Sequence, residues 1–97
     1  LERMDENFEL IGFTTPLKLR PGEYFERQGW ISMEPDDELG ATTAKLLGAD
    51  KVVWAFDYPH SDSCDQPIVR LKESLSELPA EDQLKVMGRN ACGIYNL

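Results

Sequence analysis

The chain has 97 residues, 41% of them apolar and 29% charged, with a formal net charge of −8. That length holds one small domain, and the composition excludes a disordered tail and a membrane span of ~20 apolar residues. The acidic balance argues against a nucleic-acid partner, because neutralising phosphates needs clustered Lys and Arg.

Met4, Phe8 and Ile11 recur at helical spacing among Glu2, Arg3, Asp5, Glu6 and Glu9, which predicts a helix over 1–11 with Gly12 as its stop. Thr14-Thr15-Pro16 and Arg20-Pro21-Gly22 read as loops, with a short helical turn over 23–28. Gly29 and Pro35 bound a strand over 29–34. The acids of Pro35-Asp36-Asp37-Glu38 suit the positive end of a helix dipole, so a helix opens there. Its stripe is Leu39, Thr43, Leu46 and Leu47, and Gly48 stops it.

Lys51 to Phe56 is a second strand, and its nearly unbroken apolar run suits a parallel sheet covered on both faces. Strand, crossover helix and strand make a βαβ unit. The run ends in Asp57, and the turn Tyr58-Pro59-His60-Ser61-Asp62 carries the only histidine. A carboxylate at the carboxyl end of a buried strand is well placed to serve a site.

Asp65 is the expected cap of a third helix, with Pro67 in its first turn and Ile68, Leu71, Leu75 and Leu78 as its stripe. Pro79 ends it. A last helix runs over 81–94 with Leu84, Met87, Ala91 and Ile94 on one face. Gly88 inside it costs about 1 kcal/mol against Ala, which close packing would explain.

Two parallel strands cannot satisfy both faces and both edges of a sheet, so the sequence reads as a slice of a larger α/β protein. The first residue, Leu1, agrees with a processed or excerpted chain. Cys64 and Cys92 make no disulfide framework. No basic start followed by an apolar core marks a leader. Free thiols in a reducing cytosol, and a cytoplasmic protein, are expected.

Three stretches then resemble a known family. Glu23-Tyr24-Phe25 leading to Trp30-Ile31-Ser32-Met33-Glu34-Pro35-Asp36 is the first. Leu47-Gly48-Ala49-Asp50-Lys51 through Asp57-Tyr58-Pro59-His60 is the second. Leu78-Pro79-Ala80-Glu81-Asp82 with Gly88-Arg89-Asn90-Ala91 and Tyr95-Asn96-Leu97 is the third. In order and spacing they resemble the C-terminal part of the amidohydrolase-related barrel enzymes. More narrowly, they resemble the branch of aminocarboxymuconate-semialdehyde decarboxylase and its hydrolase and decarboxylase relatives.

The resemblance implies an α/β fold: residues 1–97 as one partial domain, about the last two βα units plus the closing helix of a TIM (β/α)8 barrel. Active sites of such barrels lie at the carboxyl ends of the strands. It also implies a small-molecule substrate, carboxylated or aromatic-derived, hydrolysed or decarboxylated with a divalent metal, zinc first. Asp57 matches the last-strand aspartate, which in that family serves as a metal ligand, a general base or both. The family's histidine ligands from the first and middle strands have no counterpart here. Zinc needs three or four ligands, so the isolated chain is expected to bind no metal tightly and to catalyse nothing.

Each residue also has a plainer reading. Asp57 serves equally as a turn or capping residue. His60 either hydrogen-bonds Asp57 or a substrate carboxylate, as a catalytic neighbour, or sits on the rim as a loop histidine. Glu34 ends its strand and reads first as a salt-bridge or cap residue, with substrate contact as the alternative. Trp30, Trp54 and Phe56 are packing residues. Ser61 and Asp62 are turn residues, Cys64 and Cys92 are not nucleophiles, and Asn90 fixes the last helix. The alternative to an enzyme fragment is a non-catalytic piece, or a small α/β module, that works by self-association or binding. In either case association into a homo-oligomer is expected, with no membrane and no nucleic acid involved.

Overall fold

The computed structural model describes every residue except Thr15 and Asp62, together with all side chains but those two and Phe13's. The loop reading at Thr15 and the turn reading at Asp62 lie outside the described residues. The chain divides into two compact units, 1–30 and 31–97.

The first unit holds helices α1 (Glu2–Ile11) and α2 (Pro21–Gln28), with a 3₁₀ turn at Gly12–Thr14. Gly12 does not stop α1 in a left-handed cap: its φ is −60°, so the chain runs on into the tighter turn. The α1 stripe is not buried in this unit, with Met4 at 56% and Ile11 at 58% exposure. Pro21 opens α2 at a position where its missing N–H costs nothing. The Arg20 backbone N–H donates to Glu23 Oε2 at 2.8 Å, which closes the first turn. The Gly22 N–H donates to Asp5 Oδ1 at 2.7 Å, and Arg20 pairs with Glu9, so α2 is tied to α1 by polar contacts.

The second unit is built on strands β1 (Ile31–Met33) and β2 (Val52–Trp54), which pair in parallel with Ile31 opposite Val52 and Met33 opposite Trp54. Helix α3 (Gly40–Leu47) crosses between them. The βαβ unit is therefore present, in strands shorter than expected. Helices α4 (Pro67–Ser74), α5 (Ala80–Leu84) and α6 (Asn90–Tyr95) follow, and a π turn at Lys85–Arg89 joins the last two. Among the described residues no barrel closes: the sheet has two strands. No helix among them is long and apolar enough to cross a membrane.

The core comprises Met33, Ala41, Ala44, Ala49, Val52, Leu71, Leu75, Leu78 and Val86. Leu71, Leu75 and Leu78 bury as their spacing predicts, while Ile68 stays 47% exposed. The α3 stripe is different from the expected one. Leu39 and Leu46 are 64% and 80% exposed, and the buried face is Gly40, Ala41 and Ala44. A Cβ on Gly40 would meet Met33 Cε and Ser74 Oγ, so the close approach here demands small residues that carry little hydrophobic signal.

Three further expectations are corrected. The α4 cap is Gln66, in a left-handed conformation with φ 55°, and not Asp65. The last helix is not one regular helix. Its π turn inserts a residue and rotates the phase, so Val86 is buried while Leu84 is 46% exposed. Gly88 is not a close-packing glycine, since a Cβ there would meet nothing within 4 Å.

Candidate functional site

Side chains alternate along a strand, so the register puts Val52 and Trp54 on the helix side with Met33. Ser32, Val53 and Ala55 take the opposite side. Ser32 is exposed, and Val53 and Ala55 are half-buried. The sheet thus has one covered face and one open face within this unit, where the unbroken apolar run predicts two covered faces.

The ladder extends one residue past β2, where the Ala55 N–H donates to the Met33 carbonyl at 3.2 Å. Phe56 follows, and then Asp57 turns the chain with φ 53°. That left-handed conformation is uncommon outside glycine, and Asp tolerates it better than most. The His60 N–H donates to the Asp57 carbonyl at 2.7 Å, closing a turn whose Tyr58–Pro59 peptide is cis. Asp57, Tyr58, Pro59, His60 and Ser61 are all exposed. The structure therefore brings both sequence-identified site residues, Asp57 and His60, into one exposed turn at the carboxyl end of β2. Ser61 lies in the turn, as expected.

Three rings line the approach to this turn. Trp54 and Phe56 stack with centroids 6.1 Å apart, and Phe56 and Tyr58 with centroids 6.3 Å apart. Trp54 Nε1 donates to the Met87 carbonyl at 3.0 Å, in the middle of the π turn. Asn90 Nδ2 donates to the Ala49 and Val52 carbonyls, both at 2.7 Å. Trp54 is a packing residue as expected, and Asn90 does fix the last helix. The π turn breaks the regular helix that the sequence pattern predicts. Its available signals were the internal Gly88 and a stripe whose phase fails at Val86.

Glu34 is exposed, and its backbone carbonyl accepts the Asp37 N–H at 3.2 Å. A cleft of about 430 Å³ lies between the start of α3 and α4, lined by residues that include Asp36, Asp37, Glu38, Arg70, Glu73 and Glu77. Burial pushes the Cys64 thiol up from its ordinary value, and the Asp36 carboxylate adds to that. A raised thiol holds little nucleophilic thiolate at neutral pH. Cys92 is exposed and unpaired to Cys64.

A family model for amidohydrolases matches residues 9–97. The chain belongs to the amidohydrolase family. Among solved structures, it matches an amidohydrolase from Mycobacterium avium subsp. paratuberculosis K-10 with 24% identity and a TM-score of 0.78, covering 96% of this chain and 23% of that one. It also matches 5-carboxyvanillate decarboxylase from Sphingomonas paucimobilis with 31% identity and a TM-score of 0.75, covering 100% of this chain and 30% of that one. No curated protein matches. This amidohydrolase chain therefore spans less than a third of the length of either solved relative.

Amidohydrolases generally use divalent metals. The donor set here does not fit one by itself. Among the described residues no three His, Cys, Asp or Glu side chains are grouped to hold an ion, whereas zinc takes three or four protein ligands. Asp57 is one hard oxygen donor on an exposed turn.

Proposed function

We propose that this chain forms the last two βα units and closing helix of an amidohydrolase-type barrel that hydrolyses or decarboxylates a small carboxylated or aromatic-derived substrate. In this reading Asp57 is the carboxylate it contributes to the site, and His60 flanks it. The observation that carries the reading is Asp57 itself. It ends the apolar strand of an amidohydrolase-family chain and stands exposed in a left-handed turn. The 31% identity to a decarboxylase supports the reaction class.

Asp57 would take up and return a proton at the reacting centre, the work of a positioned general base. His60, from the same turn, would hydrogen-bond the substrate carboxylate or Asp57. A divalent metal, zinc first, belongs to this reading only with donors beyond those this chain groups together. Asp57→Asn in the complete enzyme tests it, because Asn tolerates the left-handed conformation while losing the base. Turnover should vanish with the fold intact; near-normal turnover would sink the assignment.

A second reading is a non-catalytic piece that works by self-association. The open face of Ser32, Val53 and Ala55 and the two-stranded sheet favour it. Unpaired edges seek partners. Light scattering on the chain decides: a well-folded monomer with cooperative melting counts against association.

A further inference from the structure

We infer that Trp54 is a positioning residue for Asp57, acting through the Phe56 and Tyr58 rings and anchored at the π turn. The inference rests on the reading that Asp57 is the working carboxylate. It adds what holds that carboxylate in place.

Backbone pairing ends before Asp57. The last ladder bond is from the Ala55 N–H to the Met33 carbonyl. Asp57 nevertheless keeps a left-handed conformation at φ 53°, one that L-residues adopt only at a cost. Such a conformation persists where the surroundings over-determine it. The ring ladder is what continues past the last ladder bond. Trp54, Phe56 and Tyr58 stack in series with interplanar angles of 27° and 30°, at centroid separations that aromatic pairs favour. Tyr58 follows Asp57 directly, is 77% exposed and stacks on Phe56.

The inner end of the ladder is fixed in turn. The Trp54 indole N–H is bonded to the Met87 carbonyl at 3.0 Å. Met87 sits at the centre of a π turn, and such turns break the regular helical ladder and recur at functional sites. Here the wide turn presents a carbonyl to the strand that leads to Asp57. The two features that sequence periodicity misses, the π turn and the left-handed aspartate, are the two ends of one connection.

The test is hydrogen exchange and three-bond coupling by NMR on the full chain. Trp54→Phe keeps one ring for the stack and removes the indole N–H together with the second ring of the indole. The His60 amide, bonded to the Asp57 carbonyl, should exchange about tenfold faster, and the Asp57 coupling that reports φ should move toward an averaged value. The Leu75 amide, bonded to the Leu71 carbonyl at 3.0 Å in the core, should keep its protection. Should Trp54→Phe loosen the core as well, Tyr58→Leu at the exposed end removes the last ring and must produce the same pair of changes. Unchanged His60 exchange and Asp57 coupling in Tyr58→Leu, or in a well-folded Trp54→Phe, would overturn the inference. These readouts are independent of turnover, so an active Asp57→Asn enzyme would remove the catalytic reading and leave them standing.

Discussion

The side-chain amide of Asn90 donates to the Val52 carbonyl at 2.7 Å, tying the first residue of α6 to the first residue of β2. The same nitrogen donates to the Ala49 carbonyl at 2.7 Å, so both of its hydrogens are used. Val52 is fully buried and Ala49 nearly so. The clamp therefore holds the strand that carries Asp57 against the closing helices.

Removing that clamp takes one donor from each of two protected carbonyls, and the Ala49 carbonyl keeps the Val52 N–H. Asn90→Ala should cost about 1–3 kcal/mol. Asn90→Asp keeps the shape, but it sets a carboxylate against two carbonyl oxygens and should cost more. Urea unfolding of the three proteins checks the order, and an Asp variant as stable as the parent would refute the clamp.

Two glycines should respond in opposite directions to alanine. At Gly40 the new methyl meets Ser74 Oγ, which donates to the Asp37 carbonyl at 2.6 Å, and the Met33 side chain. Gly40→Ala should destabilise by about 1–3 kcal/mol through overpacking. At Gly88 the methyl meets nothing within 4 Å. Gly88→Ala should stabilise by about 0.4–1 kcal/mol by narrowing the unfolded ensemble. Paired thermal melts measure both signs.

The sequence pattern is reliable here where burial follows large apolar side chains. Leu71, Leu75 and Leu78 show it, as does the strand at Val52. It fails at α3, where contact with Met33 and Ser74 selects Gly40, the small Ala41 and Ala44 are buried beside it, and the leucines at 39 and 46 face outward. Hydrophobicity cannot report an interface made of small residues. It fails again at the last helix, since a fixed 3.6-residue period cannot anticipate an inserted π residue. The site divides in the same way. Asp57 is legible because an apolar run ends in an acid, and His60 because it is the only histidine. The left-handed backbone at Asp57 and the indole bond to Met87 depend on tertiary contacts that no local pattern encodes.

Stability should depend on pH at both ends of the scale through two surface pairs. Hydrogen bonding to Lys45, with its charge, holds the Glu77 carboxyl below its ordinary value of 4.5. A carboxyl lowered in the folded state adds stability that is present above the ordinary value and lost as pH falls through the lowered one. The hydrogen bond and charge of Asp82 hold Lys85 above its ordinary 10.5. A raised amine adds stability that is present below 10.5 and lost as pH rises through the folded value. Both contributions should be small, because exposed pairs are screened. Glu77→Gln should flatten the acid limb of a Tm-against-pH curve and Lys85→Met the alkaline limb, each leaving the other limb unchanged.

Asp57 should prove to be a residue that the fold would exchange for another. Its φ of 53° suits glycine better than any side chain. The Phe56–Tyr58 stack and the bond from the His60 N–H to the carbonyl of residue 57 use no side-chain atom of Asp57. Asp57→Gly should therefore leave stability unchanged or raise it by up to about 1 kcal/mol, and Asp57→Asn should be near neutral. Asp57→Ala should lose about 1–2 kcal/mol, the cost of a left-handed conformation without a helpful side chain. For a domain of this size 1 kcal/mol is roughly 4–8 °C in Tm, so calorimetry separates the three. A marked loss in Asp57→Gly would show that the carboxylate itself supports the fold. A gain would leave function as the reason for a charged residue in a place that glycine fits best.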